Sequence, residues 1–241
     1  MGRRAMCSLF AVLCALGGPA MAAEEIVFIA ATNHTMPLSH FQNGIITDGI
    51  IKDLGEAIAR RLGREARFVS VPPKRVSLTL AGGEADSVCY AIPRWLNGTF
   101  NWSKPLITAT GVLVARAGAP QVKSLTDLAG KPIGTVAGYR YLNVEQTLGG
   151  DFIREEAPSM ESNMSKLAVG RMQYAITERT TFDYLARSSG KQAIRVDLEF
   201  EALKAQCAFS GKSKIPFPVI EKAVNSLIDD GSIERILARY R

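Results

Sequence analysis

The sequence has few of the residues on which most catalytic and metal sites depend. Histidine occurs only as His34 and His40, and no Cys/His spacing suits zinc. There is no Gly-x-Ser-x-Gly elbow and no His-Glu-x-x-His segment, and no Gly-x-Gly-x-x-Gly follows the first predicted strand. These absences argue against a hydrolase and a dinucleotide-binding enzyme. They predict a protein with no metal ion and no cofactor.

Long apolar runs are also scarce. The run at residues 5–16 follows two arginines and is broken by Gly-Gly-Pro at residues 17–19, so it is shorter than the about 20 apolar residues of a membrane-spanning helix. A basic start, a short apolar run and a small-x-small end predict a secretory signal peptide over residues 1–22, cut after Ala22. We therefore expect an exported protein.

The charge excess is small and unclustered. Loss of residues 1–22 removes two arginines from the 29 basic residues and none of the 23 acidic ones, which lowers the formal charge from +6 to +4. The remaining Lys and Arg are interspersed with Asp and Glu, whereas a nucleic-acid-binding protein usually carries a basic patch or stripe. We expect no nucleic-acid partner.

Two of the four cysteines remain after removal of the signal peptide. Cys89 and Cys207 both lie in apolar, strand-like runs. Disulfides persist in oxidising compartments, so the two could pair. Unpaired cysteine is also among the most buried residue types, so they could equally be separate core thiols. The sequence leaves both possibilities open.

Short apolar runs alternate with amphipathic segments along the first half of the chain. Ile51, Leu54, Ile58 and Leu62 recur at helical spacing. Alternation of strands and helices predicts an α/β fold in which parallel sheets are covered by helices. The predicted strands are 26–31, 66–71 and 87–92, and the predicted helices are 51–62 and 74–81.

The pattern changes near Pro105 and then starts again, which predicts a crossover into a second lobe. Residues 107–115 form a long β-prone run, and Ser124 is placed to cap a short helix. The predicted domains are lobe 1 over 23–108, lobe 2 over 109–208 and a return to lobe 1 over 209–241. The later predicted strands are 133–136, 174–177 and 205–209, and the later predicted helices are 125–129, 138–148, 164–169, 181–186, 217–228 and 232–240.

Several segments, in this order and spacing, resemble one known family. They are Met36-Pro37-Leu38-Ser39, residues 49–63, 80–86, 102–106, 125–134, 167–178 and 227–233, with Tyr240 near the end. Together they resemble the bacterial extracellular solute-binding proteins of family 3, which serve uptake transporters for polar amino acids. The resemblance implies a two-lobed periplasmic-binding-protein fold of type II with a ligand cleft between the lobes. It also implies a periplasmic monomer that binds an amino acid or small carboxylate and docks on ABC transporter membrane subunits.

The resemblance further implies an arginine for the ligand carboxylate and an acidic residue for its ammonium group. Arg94 is the candidate arginine, about two residues out of register with the family spacing, and Glu178 falls at the acidic position. A zwitterion that leaves water needs both charges compensated, and arginine binds a carboxylate in a bidentate way. The alternative for Arg94 is a surface ion pair of little energetic weight.

Gly138-Tyr139-Arg140 lies between a predicted strand and a predicted helix. Backbone N–H groups at such a position favour an anion, so a ligand carboxylate could bind there. A strand-to-helix turn that needs glycine for its backbone angles would explain the same residues.

Aromatic side chains are candidates for the walls of the cleft. They are Tyr90, Trp95 and Phe41, with core packing as the alternative for each. His34 and His40 lie in the loop after the first strand, where α/β folds place ligand contacts, or are plain surface histidines.

Two other functions are compatible with the same fold. Some relatives of this family resemble cyclohexadienyl dehydratases, and fold does not fix function. An exported binding protein could also present its ligand to a membrane receptor. We predict a binding protein that is not an enzyme.

Overall fold

The computed structural model describes Gly2 and residues 24–188 and 194–241. Apart from Gly2, the predicted signal peptide lies outside the described residues. The described part of the chain folds into two α/β lobes, as predicted, with β-strands shared between them. None of the helices in this part reaches the length and apolarity that a bilayer crossing needs.

The first lobe is built on parallel strands. Strand β1 pairs in parallel with β4 on one side and β5 on the other. Strands β2 and β3 form a hairpin whose turn residues Asn43 and Gly44 both have positive φ, as a tight two-residue turn requires. The elements are β1 (Glu25–Ala31), β2 (His40–Gln42), β3 (Ile45–Asp48), α1 (Ile50–Arg61), β4 (Glu65–Val71), α2 (Val76–Gly82), β5 (Ser87–Ala91) and β6 (Asn101–Trp102), with short 3-10 helices at Pro73–Arg75 and Pro93–Trp95.

The second lobe repeats the alternation. Strand β8 pairs in parallel with β9 and β10, and β10 is antiparallel to β7. Ser124 and Asp127 form a capping box on the short 3-10 helix Leu125–Leu128. The elements are β7 (Ile107–Arg116), β8 (Pro132–Val136), α3 (Leu142–Leu148), β9 (Ile153–Ala157), α4 (Met160–Ala168), β10 (Tyr174–Glu178) and α5 (Arg179–Ser188).

One long strand, β11 (Ile194–Phe209), then runs back from the second lobe to the first. Its residues 194–205 pair with β7, and its last residues pair with β5 and β6. The strand order β4-β1-β5-β11-β7-β10-β8-β9 therefore passes through both lobes. Helices α6 (Phe217–Asp229) and α7 (Ser232–Ala238) follow and pack on α1 of the first lobe.

Each lobe has its own hydrophobic core. The core of the first lobe includes Phe28, Leu54 and Ile58 together with Leu227 from α6. A separate cluster around Leu128 fills the second lobe. Burial of each large aliphatic or aromatic side chain contributes about 1.5–3 kcal/mol, so each lobe is held together mainly by its own apolar contacts.

Cys89 and Cys207 form a disulfide. They lie directly opposite each other on the antiparallel strands β5 and β11. Of the two possibilities that the sequence left open, the structure shows the paired one. The bond fixes β11 to the first lobe at the strand that leads into the cleft.

Several predicted elements have different bounds. The helix predicted from residue 138 begins at Leu142, because Gly138 has φ +80° and the chain turns there. The predicted helix 164–169 begins earlier, at Met160, where Ser159 caps it. The predicted strand 205–209 is the end of the 16-residue strand β11.

Candidate ligand-binding site

A cavity of about 140 Å³ lies between the two lobes. Both lobes and the strands that join them contribute side chains to its wall. The polar and aromatic lining residues are Asn33, His34, Tyr90 and Trp95 from the first lobe, Tyr139, Arg140, Tyr141, Thr177 and Glu178 from the second, and Phe200 and Glu201 from β11.

The lobes touch each other across this cavity. Tyr90 Oη on β5 donates a hydrogen bond to Glu178 Oε2 at the end of β10. Nearby, Asn33 Nδ2 donates to the carbonyl of Ala137 at 3.2 Å. A Cβ on Gly138 would lie 2.8 Å from Cβ of Pro73, so the backbones approach as closely as glycine allows. The structure is therefore that of a closed cleft.

Tyr90 reaches the cleft through an unusual backbone conformation. Its φ is +64°, in the left-handed region that a bulky residue rarely adopts and that costs on the order of 1 kcal/mol or more. The preceding residue, Cys89, is bonded to Cys207, and the phenol is bonded to Glu178. These two constraints hold the strained residue in place. The result is a phenol hydroxyl that crosses the gap between the lobes.

Glu178 is a carboxyl group without a basic partner among the described residues. The next residue, Arg179, pairs instead with Asp183 and Glu199 on the outside of the lobe. Burial raises the pKa of Glu178 to about 7, although the hydrogen bond from Tyr90 works in the opposite direction. The carboxyl group is thus poised between its neutral and charged forms near neutral pH. A cation entering the cavity would favour the charged form.

His34 lies between two aromatic rings that belong to different lobes. Its ring makes edge contacts with Tyr90 and Tyr139, with centroids 6.1 and 6.0 Å apart. Burial lowers the pKa of His34 to about 4, so the imidazole is neutral at neutral pH. A neutral imidazole has one nitrogen that accepts a hydrogen bond and one that donates.

Four buried polar atoms on lining residues have no hydrogen-bond partner within the described part of the chain. They are Asn33 Oδ1, His34 Nδ1, Trp95 Nε1 and Thr177 Oγ1. Buried polar groups in native proteins are nearly always hydrogen-bonded, so unpartnered atoms around one cavity indicate a polar occupant.

A carboxylate of the protein itself lies next to the predicted anion position at Gly138-Tyr139-Arg140, where the N–H of Tyr139 donates to the carbonyl of Val136. Glu145 Oε1 accepts from the backbone N–H of Tyr141 at 3.0 Å. Its other oxygen accepts from Arg140 Nη2 at 3.2 Å. Arg140 lines the cavity but is exposed, and its guanidinium is engaged by Glu145.

Three of the predicted residues lie away from the cavity wall. Arg94 is exposed on the 3-10 helix Pro93–Trp95. Burial raises the pKa of Glu201, and the positive charge of Arg94 acts in the opposite direction. Phe41 is partly buried and packs against the core of the first lobe. His40 is exposed on β2. The other predicted residues, His34, Tyr90, Trp95, Gly138, Tyr139, Arg140 and Glu178, all line the cavity.

Sequence reasoning missed several lining residues. Asn33 and Thr177 are the immediate neighbours of His34 and Glu178, so extending each candidate by one residue would have found them. Glu201 and Phe200 gave no such signal, because they lie on the part of β11 that the sequence did not predict as a strand.

The family profile described as bacterial extracellular solute-binding proteins, family 3, matches residues 27–241. The chain is 23% identical over 245 residues to the "Probable amino-acid-binding protein YxeM" of Bacillus subtilis (strain 168), covering 97% of this chain and 91% of that protein. The structure is similar to the amino acid ABC transporter substrate-binding protein AbpA of Streptococcus pneumoniae bound to L-arginine, with TM-score 0.74, 20% identity and coverage of 90% and 94%. It is also similar to the ancestral amino-acid-binding protein AncCDT-1, a precursor of cyclohexadienyl dehydratase, with TM-score 0.75, 16% identity and coverage of 90% and 95%.

Proposed function

The chain belongs to the bacterial extracellular solute-binding proteins of family 3, and on that premise we propose that it captures an amino acid in the cavity between its lobes. In this proposal the protein is an exported periplasmic monomer that delivers its ligand to the membrane subunits of an ABC transporter. The similarity to YxeM, a probable amino-acid-binding protein, and to AbpA, an amino acid ABC transporter substrate-binding protein, supports this assignment.

The observation that carries the proposal is Glu178, a carboxyl group at the cleft with no basic partner among the described residues. An ammonium group placed against Glu178 would compensate its charge. The same ligand would contact Asn33, His34 and Trp95 of the first lobe through their unpartnered polar atoms. A ligand that bonds to both lobes favours the closed arrangement over the open one by the difference in its affinity for the two.

A dehydratase of the cyclohexadienyl type is less well supported. Its substrates, prephenate and arogenate, each bring two carboxylates, one more than a neutral amino acid, and buried carboxylates need charged partners. Arg140 is the basic residue of the cavity wall, and Glu145 already engages it. The likeness to AncCDT-1 at 16% identity is a likeness of fold.

The test is a ligand screen followed by thermal unfolding. The twenty common amino acids are added singly to the purified protein, and small molecules released on gentle denaturation are identified by mass spectrometry. We expect at least one amino acid to raise the melting temperature of the wild type and to lose that effect in Glu178→Gln. Turnover of prephenate or arogenate, or a complete lack of shifts with nothing co-purifying, would contradict the proposal.

A further inference from the structure

The charged groups around the cavity are mainly acidic. Glu178 and Glu201 both line the wall, and burial raises the pKa of each. Arg140 is the basic residue of the wall, but it is exposed and paired with Glu145. The described residues thus give the cavity two carboxyl groups and no buried cation.

Neither predicted position for a ligand carboxylate offers a buried, unpaired cation among the described residues. The turn before α3 holds the carboxylate of Glu145, through the N–H of Tyr141 and the guanidinium of Arg140. Arg94 is exposed and has Glu201 as its charged neighbour. Among the unpartnered atoms, Trp95 Nε1 can act only as a donor. One neutral N–H does not compensate a full negative charge that leaves water.

The cavity offers more hydrogen-bonding groups to the ammonium end of a ligand. Asn33 Oδ1 accepts hydrogen bonds, and so can Thr177 Oγ1 and the Nδ1 atom of neutral His34. The rings of Tyr90 and Tyr139 lie on either side of His34 and also line the cavity, and aromatic rings can attract cations. Acceptors, rings and carboxyl groups together suit a group that is positively charged and rich in N–H donors.

We infer that the cavity recognises the ammonium group of its ligand and does not require a carboxylate, so that primary amines and amino-acid amides bind as well as the corresponding amino acids. The inference rests on the proposed function, because it concerns the same cavity. It assigns a wider ligand class, organic monocations with a small neutral or polar tail. The carbonyl oxygen of an amide can accept from Trp95 as an acid can, without bringing a charge to be compensated.

The test is isothermal titration calorimetry with matched ligand series. L-Alanine is compared with L-alaninamide, ethylamine and N-acetyl-L-alanine, and L-arginine with argininamide, agmatine and N-acetyl-L-arginine. In a series that binds, we expect the amide and the amine to bind within about threefold of the amino acid or more tightly. The N-acetyl compound should bind at least about 100-fold more weakly in the alanine series, because it has no α-ammonium group to pair with Glu178 and brings a carboxylate that no buried cation compensates.

The outcomes separate this inference from the proposed function. An amino acid that binds at least about tenfold more tightly than its amide overturns the inference and leaves the proposed function standing. If neither these compounds nor any of the twenty common amino acids binds, the proposed function fails as well. Arg94→Ala adds an independent measurement: a carboxylate held by arginine predicts weaker binding of the acid alone, whereas the inference predicts the same small change for acid and amide.

Discussion

Tyr90 and Glu178 stand on different lobes, and the phenol of the first donates a hydrogen bond to the carboxyl group of the second. Burial raises the pKa of both residues, so the bond links two groups that can both be neutral near pH 7. A ligand ammonium group would compete with Tyr90 for the same carboxyl group. The bond between the lobes is therefore a contact that the ligand can replace.

Glu178→Gln should change how stability depends on pH. The folded pKa of Glu178 is about 7, raised from 4.5 by burial, so the folded state holds this proton more tightly than the unfolded state. The free energy of unfolding of the wild type therefore falls as the pH rises from about 4.5 to 7. Glu178→Gln removes this pH dependence. We expect its free energy of unfolding, relative to that of the wild type, to be higher at pH 8 than at pH 5 by on the order of 2 kcal/mol.

The measurement is urea unfolding at the two pH values. The exposed residue Glu161 on α4 supplies the matched control Glu161→Gln, which should follow the wild type. His34 titrates in the opposite direction, but it is present in every variant and cancels in the differences. If the free energy of unfolding changed equally with pH in the wild type and in Glu178→Gln, the carboxyl group of Glu178 would not be buried.

Binding of a cationic ligand should release a proton. Near pH 7 about half of the Glu178 carboxyl groups are protonated, and an ammonium group favours the charged form. Below pH 7 the affinity should fall by up to about tenfold per pH unit, and above pH 8 it should level off. Calorimetry in two buffers of different ionisation enthalpy measures the released protons directly. Glu178→Gln should release none, and an affinity independent of pH between 5.5 and 7 would contradict the assigned role.

Gly138→Ala should weaken ligand binding by obstructing closure. The new Cβ would lie 2.8 Å from Cβ of Pro73 on the opposite lobe. Gly118→Ala is a matched control, because Gly118 has φ +89° against +80° for Gly138 and nothing lies within 4 Å of its Cβ position. Both substitutions cost about 1 kcal/mol in backbone strain. Only Gly138→Ala should also lower the affinity, by about tenfold or more, and enlarge the radius of gyration of the liganded protein in X-ray scattering.

Replacing both cysteines should destabilise the protein. The disulfide closes a loop with a sequence separation of 118 residues, and loss of a native disulfide typically costs about 2–5 kcal/mol. We expect the double variant Cys89→Ala, Cys207→Ala to unfold at lower urea concentration by this amount. Reductant should destabilise the wild type similarly and leave the double variant unchanged. If complete reduction of the disulfide left the stability of the wild type unchanged, this prediction would be wrong.

The sequence was most informative where local pattern and tertiary role agree. The alternating pattern predicts two strands and one helix, and the structure has all three with nearly the same bounds. They are the strands at 26–31 and 66–71 and the helix at 51–62. Strand β9 was missed because its sequence, Ile-Arg-Glu-Glu-Ala, is charged, which is typical of a strand at a sheet edge. The β2–β3 hairpin was missed although Asn43-Gly44 is a strong turn signal.

The candidate site was predictable only in part, because its residues are far apart along the chain and their contacts cannot be read from local patterns. Tyr90 and Glu178 were identified separately, but their hydrogen bond joins residues 88 positions apart and depends on the positive φ of Tyr90. The family spacing points only approximately to Arg94, because the segment that holds it is about two residues out of register. The structure places Arg94 on the surface. The predicted domain bounds at 108/109 and 208/209 remain predictions, and both fall within strands that run between the lobes.

The pairing of β7 with β11 limits how the lobes can move. The two strands are paired along ten residues, from Ile107 to Arg116 of β7. Their ends reach both cores, since Ile107 packs in the first lobe and Leu113 in the second. Sliding or separating the two strands would break the backbone hydrogen bonds between them, whereas bending the pair across its face keeps those bonds. We therefore expect opening to be close to a single rotation, which would bring the two walls of the cavity back into the same register when the cleft closes.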